Sequence, residues 1–167
     1  MHKLIGLLIV GAVLGFGQMA SAGPYEDGLA AYKQRDYATA LKLLRPLAEQ
    51  GNAAAQNVLG VMYEIGRGVP QDDMEAVKWY RLSAEQGRAS AQYNLGVMYD
   101  KGQGVPQDYV RAHMWLNLAA ASFCGDEAKT ASESRHELTA KMSPAQIERA
   151  QEMARKCQES KFKDCGW

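Results

Sequence analysis

The chain has 167 residues, 47% of them hydrophobic, and its 19 basic residues balance 19 acidic ones. This composition is that of a globular protein with enough apolar residues for one continuous core. Because balanced charge creates no strong electrostatic field, the sequence argues against a nucleic-acid partner.

The first 22 residues have the pattern of a secretory signal peptide. Lys3 precedes an unbroken run of apolar and glycine residues from Leu4 to Phe16, and Ala20–Ala22 fits a small-x-small cleavage site. The run is shorter than the roughly 20 residues that a membrane-spanning helix needs. We therefore expect residues 1–22 to be removed, leaving one domain over 23–167 without a permanent membrane anchor.

Residues 24–51 predict a first, divergent pair of helices, over Tyr25–Gln34 and Tyr37–Gln50. Pro46 lies inside the second of these segments. Because proline lacks a backbone N–H and clashes with the preceding helical turn, we expect it to kink or shorten that helix.

The middle of the chain repeats itself with a period of 36 residues. Ala48–Ser83 and Ala84–Ala119 align without a gap and are identical at 21 of 36 positions. A repeat of this length is one supersecondary unit that cannot bury its apolar face alone, so such units stack into a solenoid. Solenoids usually offer a concave surface to a partner.

Each repeat, 52–87 and 88–122, predicts two helices. Apolar residues recur at helical spacing over Ala53–Glu64, Asp73–Gln86 and Ala89–Asp100, and again after Asp108. The connecting Gly-x-Gly-Val-Pro loops stop the first helix of each pair, and Asp72 and Asp108 stand where helix N-caps are expected. These loops lack the preceding strand and the Gly-Lys-Ser/Thr of a phosphate-binding loop.

Residues 123–167 predict a C-terminal cap made of two helices. The first covers Asp126–Lys141, and Ser143, Pro144 and Gln146 form a strong start signal for the second. The second helix has one apolar and one charged face, as the end of a solenoid requires.

Three cysteines follow the predicted cleavage site, an odd number for an oxidising compartment. Cys157 and Cys165 enclose seven residues, and a disulfide between them would contribute roughly 2–3 kcal/mol. We expect Cys124 to be a small buried residue; the alternatives are a bond to another chain or replacement of Cys165 as the partner of Cys157. Neither these cysteines nor His113 and His136 have metal-ligand spacing.

The repeated frame resembles the Sel1-like repeat, a relative of the tetratricopeptide repeat. The resemblance is close over Ala55–Trp79 and Ala91–Trp115 and loose over 24–50, where the Gly-x-Gly loop is missing. It implies an all-α, right-handed superhelical solenoid of antiparallel helix pairs, used as an adaptor in protein assemblies without a cofactor. With the signal peptide, it implies an exported bacterial envelope protein, periplasmic or secreted.

Residues that recur in both repeats are expected to build the core: Leu59, Tyr63, Ala76, Trp79, Leu95, Tyr99, Ala112 and Trp115. Gly60 and Gly96 are expected where two helices cross closely, because a Cβ there would push the helices apart.

The resemblance to tetratricopeptide units implies that first-helix residues line the concave groove. Candidates are residues on those helices: Asn57, Val61, Glu64, Tyr93, Asn94, Val97, Asp100 and Lys101. Asn94 could bond a ligand's peptide backbone, since an amide both donates and accepts, or it could tie neighbouring helices together. The expected partner is a protein, a peptide or a cell-wall component.

Two alternatives to a binding module stay open. Some cysteine-rich Sel1-like proteins are described as penicillin-binding or weakly β-lactam-hydrolysing, and Ser160–Lys163 is a Ser-x-x-Lys string. The companion Ser-Asp-Asn and Lys-Thr-Gly elements are missing, so we expect no catalytic residues. The other alternative is a structural assembly factor that oligomerises through Cys124.

Overall fold

The computed structural model describes residues 23–165, and this part of the chain contains eight helices and no strand. The helices are α1 Pro24–Lys33, α2 Tyr37–Glu49, α3 Ala53–Glu64, α4 Asp73–Ala84, α5 Ala89–Lys101, α6 Tyr109–Ser122, α7 Gly125–Thr139 and α8 Pro144–Glu159. The predicted signal peptide, residues 1–22, lies outside the described residues. Within the described range, no helix is both long and apolar enough to cross a membrane.

Successive helices pack against each other from α1 to α7, so each helix pair stacks on the next. This arrangement confirms the predicted all-α solenoid. Its last part differs from a regular pair, because α7 and α8 both pack on α6 rather than chiefly on each other. The right-handed sense of the superhelix and the capping role of 123–167 stay predictions.

Helix ends lie within two residues of the predicted ones. The carboxylates of Asp72 and Asp108 accept N-cap hydrogen bonds from the first turns of α4 and α6, and Ser143 and Gln146 form a reciprocal capping box. Pro46 lies inside α2, which ends at Glu49, and its effect on the course of this helix stays a prediction.

The core consists of two clusters joined along the solenoid. The first centres on Leu44, Leu59 and Met62, and Trp79 closes it. The second runs from α4 to the disulfide and includes Trp115, which is fully buried. Of the predicted core residues only Tyr63 is half-buried, and its hydroxyl accepts a hydrogen bond of 2.8 Å from Arg45.

Two buried glutamines, identical in both repeats, explain part of the repeated frame. Gln56 donates through Nε2 to the carbonyl of Ala48, and Gln92 donates in the same way to the carbonyl of Ala84. These bonds hold the end of one pair against the start of the next, and they pair the Nε2 groups, which would be costly to bury without an acceptor.

The second glycine of each Gly-x-Gly loop allows two backbones to approach closely. Gly104 has φ +67°, and a Cβ there would collide with the carbonyl of Asp73 in the first turn of α4. Gly68 lies on Tyr37 at the start of α2 in the same way. These glycines therefore allow the loop of one repeat to pack on the preceding helix pair, because a side chain at either position would collide with that pair.

A disulfide joins Cys157 to Cys165, the pairing expected from the sequence. It closes a short segment in which Lys161 and Phe162 both have positive φ. The ring of Phe162 lies against Gly87, so this segment covers the end of α4.

Candidate functional site

The first helix of each repeat crosses the second at a glycine. A Cβ on Gly60 would lie 2.5 Å from ring atoms of Tyr80, and one on Gly96 would lie 2.9 Å from Cγ of Leu116. These distances confirm the predicted close crossings. They also identify the residue directly after each repeated tryptophan as the one that fills the space under the glycine.

Tyr80 builds a polar network at the junction of α3, α4 and α5. It is fully buried, and its hydroxyl donates a hydrogen bond of 2.5 Å to the carboxylate of Glu64. Burial and then the Glu64 carboxylate raise the pKa of the Tyr80 phenol far above its usual range, while an interaction with Asn94 acts in the opposite direction. The phenol therefore stays neutral, and Glu64 and Asn94 both have a partner inside the protein.

The other two candidates of the first repeat lie beside this network. Asn57 and Val61 are half-buried, and Val61 packs against the second core cluster. The Asn57 Oδ1 atom is buried and has no hydrogen-bond partner among residues 23–165.

The second repeat carries an open groove at the equivalent junction. A cavity of about 240 Å³ lies between α5 and α7. Leu116 of α6 forms its floor, and four predicted residues of α5 form one wall: Tyr93, Val97, Asp100 and Lys101. The structure thus brings half of the sequence-predicted candidates together around one cavity.

The opposite wall comes from α7, which sequence reasoning did not assign to the site. The Tyr93 hydroxyl lies 3.4 Å from Oγ of Ser134, and Nζ of Lys141 lies 3.1 Å from the carboxylate of Asp100. Both contacts join residues 41 positions apart, so α5 and α7 run parallel. No repeated residue marks this wall: α7 begins at Gly125, 36 residues after α5 begins at Ala89, but it carries none of the residues of the repeated frame.

Lys141 and Asp100 close one end of the groove. The hydrogen bond to Asp100 and its negative charge raise the pKa of Lys141, whose ammonium also lies 5.5 Å from the ring centroid of Tyr109. Because the Lys141 side chain is 49% exposed, solvent screens this pair and it restrains the groove only weakly.

A second cavity, of about 250 Å³, lies at the other end of the same groove. Tyr93 lines both cavities and separates them. The remaining walls of the second cavity come from Phe123 and from the first turns of α7, at Asp126, Glu127 and Thr130.

The Ser-x-x-Lys string has a structural role in this fold. Oγ of Ser160 donates to the carbonyl of Cys157 at 2.8 Å and accepts the N–H of Asp164 at 3.0 Å. The hydroxyl therefore closes the turn inside the disulfide segment, and the contact between Ser160 and Lys163 is a backbone hydrogen bond.

The expectation that Cys124 is buried is wrong: this free cysteine is exposed. It occupies the N-cap position of α7, where the chain has left the core after α6.

The two histidines differ, since His113 is buried and His136 is exposed. Burial, and then the charge of Arg135, lower the pKa of His113. Across residues 23–165, no group of three or more potential metal ligands occurs.

The repeats and their stacking identify the family. The Sel1 repeat matches residues 17–52, 53–87 and 89–122. The chain belongs to the Sel1 repeat family. The first match starts before the unit that the sequence predicted at 24–51, and it includes that divergent unit as a Sel1 repeat.

Two solved structures are similar to this Sel1-repeat protein. One is a protective antigen present in uropathogenic Escherichia coli strains and displaying an SLR fold, with a TM-score of 0.76, 29% identity, and coverage of 85% of this chain and 30% of that one. The other is a Sel1 repeat protein from Oxalobacter formigenes, with a TM-score of 0.57, 40% identity, and coverage of 60% of this chain and 40% of that one.

This chain therefore spans less than half the length of either relative. A comparison with curated proteins finds no match. Sel1-repeat proteins generally mediate protein–protein interactions.

Proposed function

We propose that this protein is a non-enzymatic adaptor of the bacterial cell envelope that holds a segment of a partner protein between α5 and α7. The observation that carries the proposal is the cavity over Leu116. At the equivalent place in the preceding repeat, the ring of Tyr80 fills the space under Gly60. Family membership supports a protein as the partner.

The size of the cavity favours a side chain as the group that enters it. Its volume of about 240 Å³ is below the roughly 300–1,000 Å³ of pockets that enclose small-molecule ligands. Tyr93, Val97 and Leu116 offer apolar surface, and Ser134 and Lys101 offer polar groups at the rim. Such a site suits one apolar anchor of an extended segment, with its backbone bonded at the edge.

Rigid helices would lower the cost of binding. The groove walls belong to α5 and α7, both packed on α6, so few groups need to be ordered when the segment binds. The Lys141–Asp100 pair is the contact expected to open, because it is exposed and weak.

Crosslinking tests the groove. A photoreactive amino acid at Val97 should capture the partner, whereas one at Gln151 on the outer face of α8 should not. The same Val97 probe in a Leu116→Tyr background, which fills the cavity, should lose the product. Capture that survives Leu116→Tyr, or that occurs equally from Gln151, would contradict this groove.

Identification of the captured product by mass spectrometry separates a protein segment from a peptidoglycan peptide. The complex should then form again from purified components, and it should weaken in the Tyr93→Ala/Asn94→Ala variant. A partner whose affinity is unchanged in this folded variant binds elsewhere.

The assignment to the envelope rests on two features. Residues 1–22 have the pattern of a signal peptide, and the disulfide between Cys157 and Cys165 is typical of oxidising compartments. Expression of the full chain in a Gram-negative host should release a product that begins at Gly23 upon osmotic shock, as measured by intact mass. An unprocessed chain in the cytoplasmic fraction would contradict export.

A further inference from the structure

The second cavity of the groove combines aromatic walls with negative charge. Tyr93 and Phe123 are half-buried and line it, together with the acidic residues Asp126 and Glu127. Its volume is about 250 Å³, similar to that of the cavity over Leu116, and Tyr93 separates the two.

The two carboxylates are available to a ligand. Asp126 and Glu127 are exposed, and neither takes part in an ion pair with another residue of 23–165. The nearest basic residue along α7, Lys129, instead lies 3.9 Å from the carboxylate of Glu133. The positive end of α7 favours acidic residues in its first turn, but it does not account for the two aromatic rings beside them.

This combination of groups is complementary to a cation with a flat face. Aromatic rings attract cations over their faces, and carboxylates form charge-assisted hydrogen bonds with guanidinium groups. Arginine fits both features better than lysine, because its planar group stacks on rings and presents several donors in a fixed geometry.

We propose that this cavity binds an arginine side chain of the partner segment held in the groove. The proposal rests on the function proposed above and adds the chemistry of a second anchor. An apolar side chain would occupy the cavity over Leu116, and the arginine would occupy the acidic one beyond Tyr93.

Nuclear magnetic resonance of the mature protein tests this directly. Nα-acetyl-arginine amide should cause saturable shifts in the backbone amide signals of Tyr93, Phe123 and Thr130. Nα-acetyl-citrulline amide, a neutral compound of nearly the same shape, should bind at least about fivefold more weakly, since it lacks the charge. Equal affinity for the two compounds would overturn the proposal, as would shifts spread over acidic residues elsewhere.

A charge-matched pair of variants locates the site. Asp126→Asn/Glu127→Gln should weaken arginine binding about fivefold or more, whereas Glu133→Gln/Glu148→Gln, which removes two acidic groups outside the cavity, should leave it unchanged. Equal effects of both pairs would indicate general charge attraction only. The citrulline comparison uses the unmodified chain, so the test does not depend on how the variants fold.

Failure of this inference is distinguishable from failure of the proposed function. If crosslinking from Val97 is lost in Leu116→Tyr and the protein shows no preference for the arginine compound over citrulline, the proposed groove is supported and the arginine site is rejected. Persistence of crosslinking in Leu116→Tyr would contradict the groove itself.

Discussion

Two junctions between neighbouring repeats share a close glycine contact but differ in how well they are packed. The first is formed by α3, α4 and α5, and the second by α5, α6 and α7. In each, a glycine lies over the residue that follows the repeated tryptophan. That residue is Tyr80 in the first junction, where its hydroxyl bonds Glu64 and fills the space. It is Leu116 in the second, where the shorter side chain forms the floor of a cavity of about 240 Å³. The repeated residues thus build the stack, and the variable residue under the glycine differs between the junction filled by Tyr80 and the junction that carries a cavity.

The largest effect in this comparison is expected for Gly60→Ala. Its new Cβ would lie 2.5 Å from the Tyr80 ring, and overpacking of this kind should lower the free energy of unfolding by about 2–3 kcal/mol. Urea denaturation of the wild type and of Gly60→Ala measures this change in the free energy of unfolding. Gly96→Ala should cost less, because Leu116 is more distant at 2.9 Å. A second substitution, Tyr80→Leu, should recover part of the loss; no recovery would mean that the clash is not with this ring.

Tyr80→Phe tests the polar network that the second junction lacks. The change removes the donor to Glu64 and should reduce the free energy of unfolding by about 1–2 kcal/mol, since a partly buried carboxylate loses its partner. A double-mutant cycle with Glu64→Gln measures the coupling. Additive single effects would show that the short hydrogen bond contributes nothing to stability.

His113, which replaces Val77 of the preceding repeat, is expected to make the second junction sensitive to acid. Because burial lowers the pKa of His113 below its ordinary 6.5, the unfolded chain binds the proton more readily. The stabilising contribution is therefore complete above about pH 6.5 and is lost as the pH falls below it. His113→Val should remove this part of the pH dependence, as urea denaturation between pH 7 and pH 5 would show. An unchanged slope would assign the acid sensitivity to other groups.

The smallest effect on stability is expected for Leu116→Tyr, which copies the first junction into the second. Asp100 replaces Glu64 as a potential acceptor, so the free energy of unfolding should change by less than about 1 kcal/mol. Partner binding should nevertheless be lost, because the floor of the groove is raised. A strongly destabilised variant would show that the second junction cannot accommodate a ring under Gly96.

Much of the fold was predictable because its causes are local and repeated. Helix ends follow from capping residues such as Asp108 and Ser143, and the close crossings follow from Gly60 and Gly96. The buried hydrogen bonds of Gln56 and Gln92 had a signal in the sequence, since both glutamines recur among apolar residues.

The groove was only half predictable. The α5 wall followed from the position of Tyr93 and Val97 on a first helix, but the α7 wall did not. Ser134 and Lys141 lie opposite α5 on a helix that keeps the 36-residue spacing of the helix starts but carries none of the residues of the repeated frame. The exposure of Cys124 was missed for the same reason, since it depends on where the chain leaves α6.

The contact of Gly104 with Asp73 has a consequence for how the chain is completed during synthesis. The start of α4 is covered only when the loop of the following repeat has been made, and the start of α2 waits in the same way for Gly68. The pairs α1–α2 and α3–α4 are therefore completed only by loop residues that are translated one repeat later. The start of α2 can therefore be covered before the start of α4, in the order in which the chain is translated.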